Sequence, residues 1–348
     1  MNDVTTHEPQ SQFNSSPETA RISDVATSLP AEFSGGPQNS GGPSGFDSAA
    51  WLFPGLGCRY VGMGYDLIGR SPTADKLIAA AESRLPYRIH EVCLEGSGRK
   101  HVPARQEAQV IYILDCAYAA VLRERGVTPS VIAGHSLGNL AACHVSGAYD
   151  FLTGLDLVTH VEDLMEKSID GHGHAMGVVI GLDEKTIRAL LDITPDTYLA
   201  NWNSPLQYVV GGAVAGVDQI LRQAVAQGAK QAKRFATERA MHTPLMDDVA
   251  RRFREILATV AWNEPQVPFV NSHDATVLRN AAQIRQFLGG FLSQPVHWQA
   301  TIRAILHGCG SRFVEVGPGN VLTSMLPFIE STATVRTASE VLDRKVQL

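Results

Sequence analysis

The sequence predicts an α/β protein: a larger unit that alternates short buried strands with amphipathic helices, and a smaller unit inserted within it. Three observations predict this. First, the β-branched Val131-Ile132-Ala133 runs through Gly134-His135-Ser136-Leu137-Gly138 into the helix-compatible Asn139-Leu140-Ala141-Ala142, the strand–turn–helix setting of a nucleophile elbow. Second, residues 106–125 and 151–167 repeat apolar side chains at helical spacing on either side of that elbow. Third, the texture changes from Ala175, and β- and α-type runs follow in the order β-α-β-β-α-β up to Ala236, a split β-α-β pattern.

The elements follow in order. Residues 1–48 are rich in Ser, Thr, Pro, Gly and Gln, with Ser34-Gly35-Gly36-Pro37 reading as flexible linker, and are expected to be disordered. Ala50-Trp51-Leu52-Phe53 is a buried strand broken by Pro54-Gly55-Leu56-Gly57, a glycine-rich loop whose N–H groups can face an anion. Helices are predicted over 73–84 and 106–125, the latter ended by Pro129. The elbow follows. Gly134 and Gly138 suit a turn with no room for a β-carbon, Ser136 is pushed outward, and the Leu137 N–H at the new helix start can steady a developing oxyanion. After the helix 151–167, strands at 176–181, 197–203, 207–211 and 230–236 and helices at 183–191 and 216–227 build the small ferredoxin-like unit. The chain then returns with a helix over 243–256 (Pro244 in its first turn), a strand at 267–271, helices at 281–291 and 298–306, a strand at 312–316 and a closing helix from Val321. The predicted organisation is a tail over 1–48, a large unit over 49–172 and 237–340, the small unit over 173–236, and a C-terminal tail over 341–348.

Composition narrows the functional classes. The 348 residues are 44% hydrophobic and 18% charged, those of a globular protein with a sizeable core. Five scattered cysteines without a C-x-x-C pair indicate reduced thiols and a cytoplasmic setting. No run approaches the roughly 20 apolar residues of a membrane span, and the first residues lack the basic and apolar regions of a secretory signal. Of the net charge of −6, a net −5 lies in residues 1–48, so no basic face for nucleic acid is expected. His172 and His174 lack companion ligands at metal spacing, and no metal site is predicted.

Six separated stretches agree with one family. They are Phe53-Pro54-Gly55-Leu56-Gly57 with Gly62-Met63-Gly64; Gly134-His135-Ser136-Leu137-Gly138; Asn203-Ser204-Pro205 with Gln207; His242-Thr243-Pro244-Leu245-Met246; Pro295-Val296-His297-Trp298; and Phe313-Val314-Glu315-Val316-Gly317-Pro318-Gly319. In order and spacing across residues 49–338, the chain resembles the malonyl-CoA:acyl carrier protein transacylases. The resemblance extends to the free-standing acyltransferases of polyketide synthases and their acyl-hydrolase relatives. It implies an α/β-hydrolase-like large subdomain carrying the nucleophile, an inserted ferredoxin-like subdomain, and an acyl cleft between them. It implies Ser136 as nucleophile, His242 as general base oriented by the backbone carbonyl of Phe291, and the Leu56 and Leu137 N–H groups as oxyanion hole. It also places His135 and Asn203 at the acyl site. No bound cofactor is implied; the substrates are CoA or phosphopantetheine thioesters, and the partner is an acyl carrier protein.

Departures from the family pattern matter as much. Malonyl-selecting relatives carry an Arg on the helix after the elbow, in an Arg-Gly-x-x-Met setting. Here Val161-Glu162-Asp163-Leu164-Met165 occupies it, and no Arg lies between Phe151 and Asp170. A malonyl carboxylate would lose its bidentate partner, at a cost of about 3–5 kcal/mol for an unpaired buried charge. The expectation is therefore an acyltransferase for a neutral acyl group bound against Val161. Alternatives on the same scaffold are an acyl-carrier-protein thioester hydrolase, a malonyl transacylase in which another cation replaces the Arg, and an inactive docking scaffold. Carrier proteins are acidic, so Lys230, Lys233, Arg234 and Arg239, leading toward His242, are the expected docking residues, with Arg251, Arg252 and Arg254 beyond them.

Overall fold

A computed structural model describes residues 48–94, 102–168 and 173–344. The predicted N-terminal tail, apart from Ser48, and the Gly171-His172 break lie outside the described residues. Two sheets organise the chain. The larger has the order β10-β9-β1-β2-β7-β8, built from β1 (Ala50–Phe53), β2 (Val131–Gly134), β7 (Phe269–Val270), β8 (Val277–Leu278), β9 (Arg312–Glu315) and β10 (Thr334–Thr337). All its pairings are parallel except β7 with β8.

Alternation along β1 and β2 gives this sheet two apolar faces. Trp51, Phe53 and Ile132 enter one cluster, and Ala50, Leu52, Val131 and Ala133 enter the other. The first face is covered by the helices α1 (Pro72–Glu82), α2 (Ile89–Leu94), α3 (Ala104–Glu124), α4 (Gly138–Ser146) and α5 (Phe151–Lys167). Helix α3 is buried without interruption from Ala108 to Ala119, because helices pack on all its sides rather than on one stripe. The second face receives α10 (Trp298–Cys309) and α11 (Val321–Ile329).

The smaller sheet runs β4-β5-β3-β6 with every pairing antiparallel: β3 (His174–Ile180), β4 (Thr197–Ser204), β5 (Gln207–Ala213) and β6 (Gln231–Arg234). With α6 (Glu184–Asp192) and α7 (Val214–Ala226) the connection is β-α-β-β-α-β, in the predicted order. Asp183 caps α6 by accepting from the Thr186 N–H at 2.9 Å. One face of this sheet packs on the two helices; the other presents Met176, Val178, Ala200 and Val209 to Met241, next to His242. Val296, in the segment before α10, pairs with β4 through Trp202 N–H to Val296 O and Val296 N–H to Ala200 O, both 2.8 Å.

Several boundaries differ from the sequence reading. The helix expected at 243–256 begins with a 3₁₀ turn, Pro244–Met246, before α8 (Asp247–Leu257). The helix expected to reach Phe291 stops earlier: α9 is Ala281–Leu288, ended by Gly289-Gly290. Of the residues assigned to a C-terminal tail, 341–344 belong instead to α12 (Ala338–Arg344), which buries Val341 and Leu342 against the core; 345–348 lie outside the described residues. Helix α2 and the short strands β8 and β10 have too few residues to show a period.

Candidate active site

In a parallel sheet the loops leaving the carboxyl ends of neighbouring strands converge. β9, β1 and β2 are neighbours, so Gly317-Pro318-Gly319, the Pro54–Cys58 loop and the elbow meet at one edge. The elbow is as tight as its glycines suggest. A β-carbon on Gly134 would lie 2.3 Å from Asn139 N, and one on Gly138 would lie 2.2 Å from Phe53 O. Ser136 is held at φ 54°, in the left-handed region, a strain of about 1–3 kcal/mol that surrounding structure must enforce. Asn139, fully buried, does part of this: its Nδ2 donates to Ser136 O at 2.9 Å and to Ser272 Oγ at 3.1 Å. Gly138→Ala is expected to lower stability by about 1–3 kcal/mol and to slow acylation of Ser136, read by thermal denaturation alongside the rate of covalent labelling.

His242 reaches this edge from the segment after β6. Its backbone is also left-handed (φ 62°), and its N–H donates to Leu292 O at 2.8 Å. The ring spans two kinds of partner. Nε2 lies 2.7 Å from Ser136 Oγ, while Nδ1 faces Phe291 O at 2.9 Å and Gln294 O at 3.2 Å. Carbonyl oxygens only accept, so Nδ1 carries the proton and Nε2 is left as the acceptor for the serine hydroxyl. The early end of α9 makes this possible: Phe291 lies beyond the Gly289-Gly290 break, where its carbonyl is free of a helical partner. Gln294 was not singled out from the sequence, because a backbone acceptor leaves no trace in residue type.

Burial and then the nearby His135 ring push His242 down to about 4. Its imidazole is therefore neutral across the physiological range, as a general base must be. The loop after β1 presses so close to the elbow that a β-carbon on Gly55 would sit 3.2 Å from Leu137 N. Among the described residues, neither the Leu56 nor the Leu137 N–H donates to a protein acceptor. Two unspent backbone donors beside a serine hydroxyl are what a tetrahedral oxyanion requires.

The other predicted residues divide. His135 and Asn203 are brought together, His135 Nε2 donating to Asn203 Oδ1 at 2.9 Å, with the His135 ring edge-on to Trp298. Burial lowers the His135 pKa, opposed by the Asn203 bond, so it too is held neutral. Val161 is buried in the apolar cluster that includes Leu137 and Phe291, with Leu56 and Met241 packed against it.

Arg239 requires a correction. It is not a free docking cation: its guanidinium donates to Glu162 at 2.8 Å, and Glu162 is 2% exposed. The ion pair joins the segment before His242 to the residue after Val161, a link across 77 positions that no local motif could have indicated. The other arginines of the predicted face are exposed and paired. Arg234 pairs with Asp218, Arg251 with Asp248 and Glu255, and Arg252 with Asp248, while Arg254 donates to Gly289 O. Lys230 and Lys233 remain exposed beside and on the edge strand β6.

The geometry can be set beside known proteins. Residues 50–341 match the family model described as acyl transferase domain. The malonyl CoA-acyl carrier protein transacylase of Synechocystis sp. is 31% identical over 276 residues, covering 79% of this chain and 92% of its own. A structure of the malonyl CoA-acyl carrier protein transacylase from Coxiella burnetii superposes with a TM-score of 0.80 at 29% identity, over 86% of this chain and 97% of that one. A type II polyketide synthase acyl-carrier protein in complex with its malonyl-transacylase gives 0.80 at 30% identity, over 86% and 100%. Among the described residues, no helix is long and apolar enough to cross a membrane.

Proposed function

The chain belongs to the acyl transferase domain family, and on that premise we propose that it moves a neutral acyl group from a CoA or carrier-protein thioester, through acyl-Ser136, to an acyl carrier protein. The names of its relatives describe malonyl transfer between CoA and an acyl carrier protein, in one case that of a type II polyketide synthase. The preference for a neutral acyl group is this chain's own, and the observation that carries it is the buried Glu162–Arg239 pair beside Val161.

In this reading the Ser136 Oγ–H passes its proton to His242 Nε2 as Oγ attacks the thioester carbonyl. The oxyanion forms against the Leu56 and Leu137 N–H groups. Collapse breaks the C–S bond, and the thiol leaves with the proton from His242. A carrier-protein thiol then repeats the sequence in reverse. Water in place of that thiol would make the same site a hydrolase. No bound cofactor or metal is needed for either half-reaction.

Malonyl-selecting relatives meet the substrate carboxylate with an Arg. Here that position is the apolar Val161, and the arginine three positions before His242 is already neutralised by Glu162. A malonyl carboxylate would have to displace a buried carboxylate from its partner, which costs several kcal/mol. The test is intact mass after separate incubation with acetyl-CoA and malonyl-CoA, with Ser136→Ala as control. An acetyl adduct that passes to added holo carrier protein is the expected result. A malonyl adduct of equal yield overturns the neutral-acyl reading. An adduct that decays to free acid without reaching the carrier replaces the transferase with a hydrolase.

A further inference from the structure

A groove of about 790 Å³ lies outside the catalytic constellation, between the turn after α1, the start of α3, and α5. That volume is within the usual range of about 300–1,000 Å³ for small-molecule sites. One wall is a stripe of α5: Leu155, Thr159, Glu162 and Glu166, at the three- and four-residue spacing of a single helix face. Its inner end is formed by the most buried of its polar groups, Gln109, Glu162 and Arg239. Two residues of that end are close in sequence to the candidate site: Glu162 follows Val161, and Arg239 lies three positions before His242.

Charge and hydrogen bonding narrow what the groove can hold. It is lined by three cations and three anions, and each has a partner: Arg84 with Asp156, Arg105 with Glu166 and Asp163, and Arg239 with Glu162. Among the described residues that line it every charge is paired, which disfavours a phosphate or a carboxylate. The neutral polar groups instead form a chain. Tyr87 O–H donates to Gln109 Oε1 at 2.6 Å, and Gln109 Nε2 donates to Thr159 Oγ1 at 2.7 Å. The lone pairs of the Tyr87 oxygen and the second Gln109 N–H are left over for a ligand hydroxyl or ketone.

We propose that this groove is the subsite for the far end of a long, uncharged, oxygen-bearing acyl chain whose thioester end reaches Ser136 past the Glu162–Arg239 pair. The proposal rests on the neutral-acyl reading and extends it from the absence of a carboxylate to the presence of distal hydroxyl or keto groups.

The experiment measures the rate of acyl-Ser136 formation, or of acid release where the adduct turns over, on the full chain. The donors are pantetheine thioesters of acetate, decanoate, 9-hydroxydecanoate and malonate. The 9-hydroxydecanoyl donor is expected to react at least tenfold faster than acetyl. Thr159→Trp, which puts an indole in the groove, should bring that ratio to about one. Tyr87→Phe, a milder change that removes only the hydroxyl, should lower the ratio of 9-hydroxydecanoyl to decanoyl. Equal rates for acetyl and the ten-carbon donors overturn the subsite while leaving the neutral-acyl reading intact. Ratios unchanged in both variants also overturn it. Malonyl as the fastest donor overturns the reading beneath it.

Discussion

Replacing His242 by glutamine lowers the rate of acyl-Ser136 formation by about 100- to 10,000-fold, the usual worth of a positioned general base. The amide cannot take the proton that Nε2 receives across 2.7 Å from Ser136 Oγ. The fold should survive, because the glutamine can still donate toward the carbonyls of Phe291 and Gln294 that hold the ring. The wild-type pH profile provides a second check. A histidine in water titrates near about 6.5, whereas burial holds His242 at about 4. Acylation is therefore expected to stay level from neutral pH down to about 5 and to fall only as pH passes through about 4. An acid limb near 6.5 would show that the ring is solvated in the working enzyme. Stability has the matching sign. Below about 6.5 the unfolded chain binds a proton at this residue that the folded chain refuses, so His242 lowers stability progressively as pH falls toward 4.

Glu162→Gln is expected to raise the ratio of malonyl to acetyl labelling of Ser136 by about 10- to 100-fold. The substitution keeps the side-chain shape but leaves the Arg239 guanidinium without its carboxylate. A charged hydrogen bond regained by the substrate is worth about 1.5–3 kcal/mol, which sets that range. The converse change, Arg239→Leu, strands a carboxylate that is 2% exposed and is expected to cost about 3–5 kcal/mol of stability, seen as a lower thermal midpoint. Competitive labelling with the two CoA esters, read by mass, decides the first point. An unchanged ratio in Glu162→Gln would mean that Arg239 does not reach the acyl group.

The turn that carries Ser136 was legible in the chain because backbone geometry restricts residue type at its glycines, whereas His242 and Phe291 were assigned by the family resemblance alone. Gly134 and Gly138 are required by contacts of 2.3 and 2.2 Å, and such positions are readable without coordinates. The order of the small sheet was legible too, since alternation and turn residues repeat over several strands. The ends of elements were not: Gly289-Gly290 stops α9 before Phe291, and Val341 and Leu342 are buried only because α12 finds the core.

What surrounds the reaction centre depends on contacts between distant positions. Arg239 reads as a surface cation in a basic run, and Glu162 as one more polar residue on a helix. Folding places them 2.8 Å apart and out of water, turning a docking residue into half of a buried pair at the head of a groove. Arg234 and Arg254 are likewise met by partners that the fold brings, Asp218 and the Gly289 carbonyl, whereas Arg251 and Arg252 pair inside α8 with Asp248 and Glu255 at spacings the sequence already shows. Local sequence specifies φ, turn and hydroxyl, because those are properties of adjacent residues. Whether a charge is free or spent depends on its nearest neighbour in space, and that neighbour is supplied by the tertiary fold.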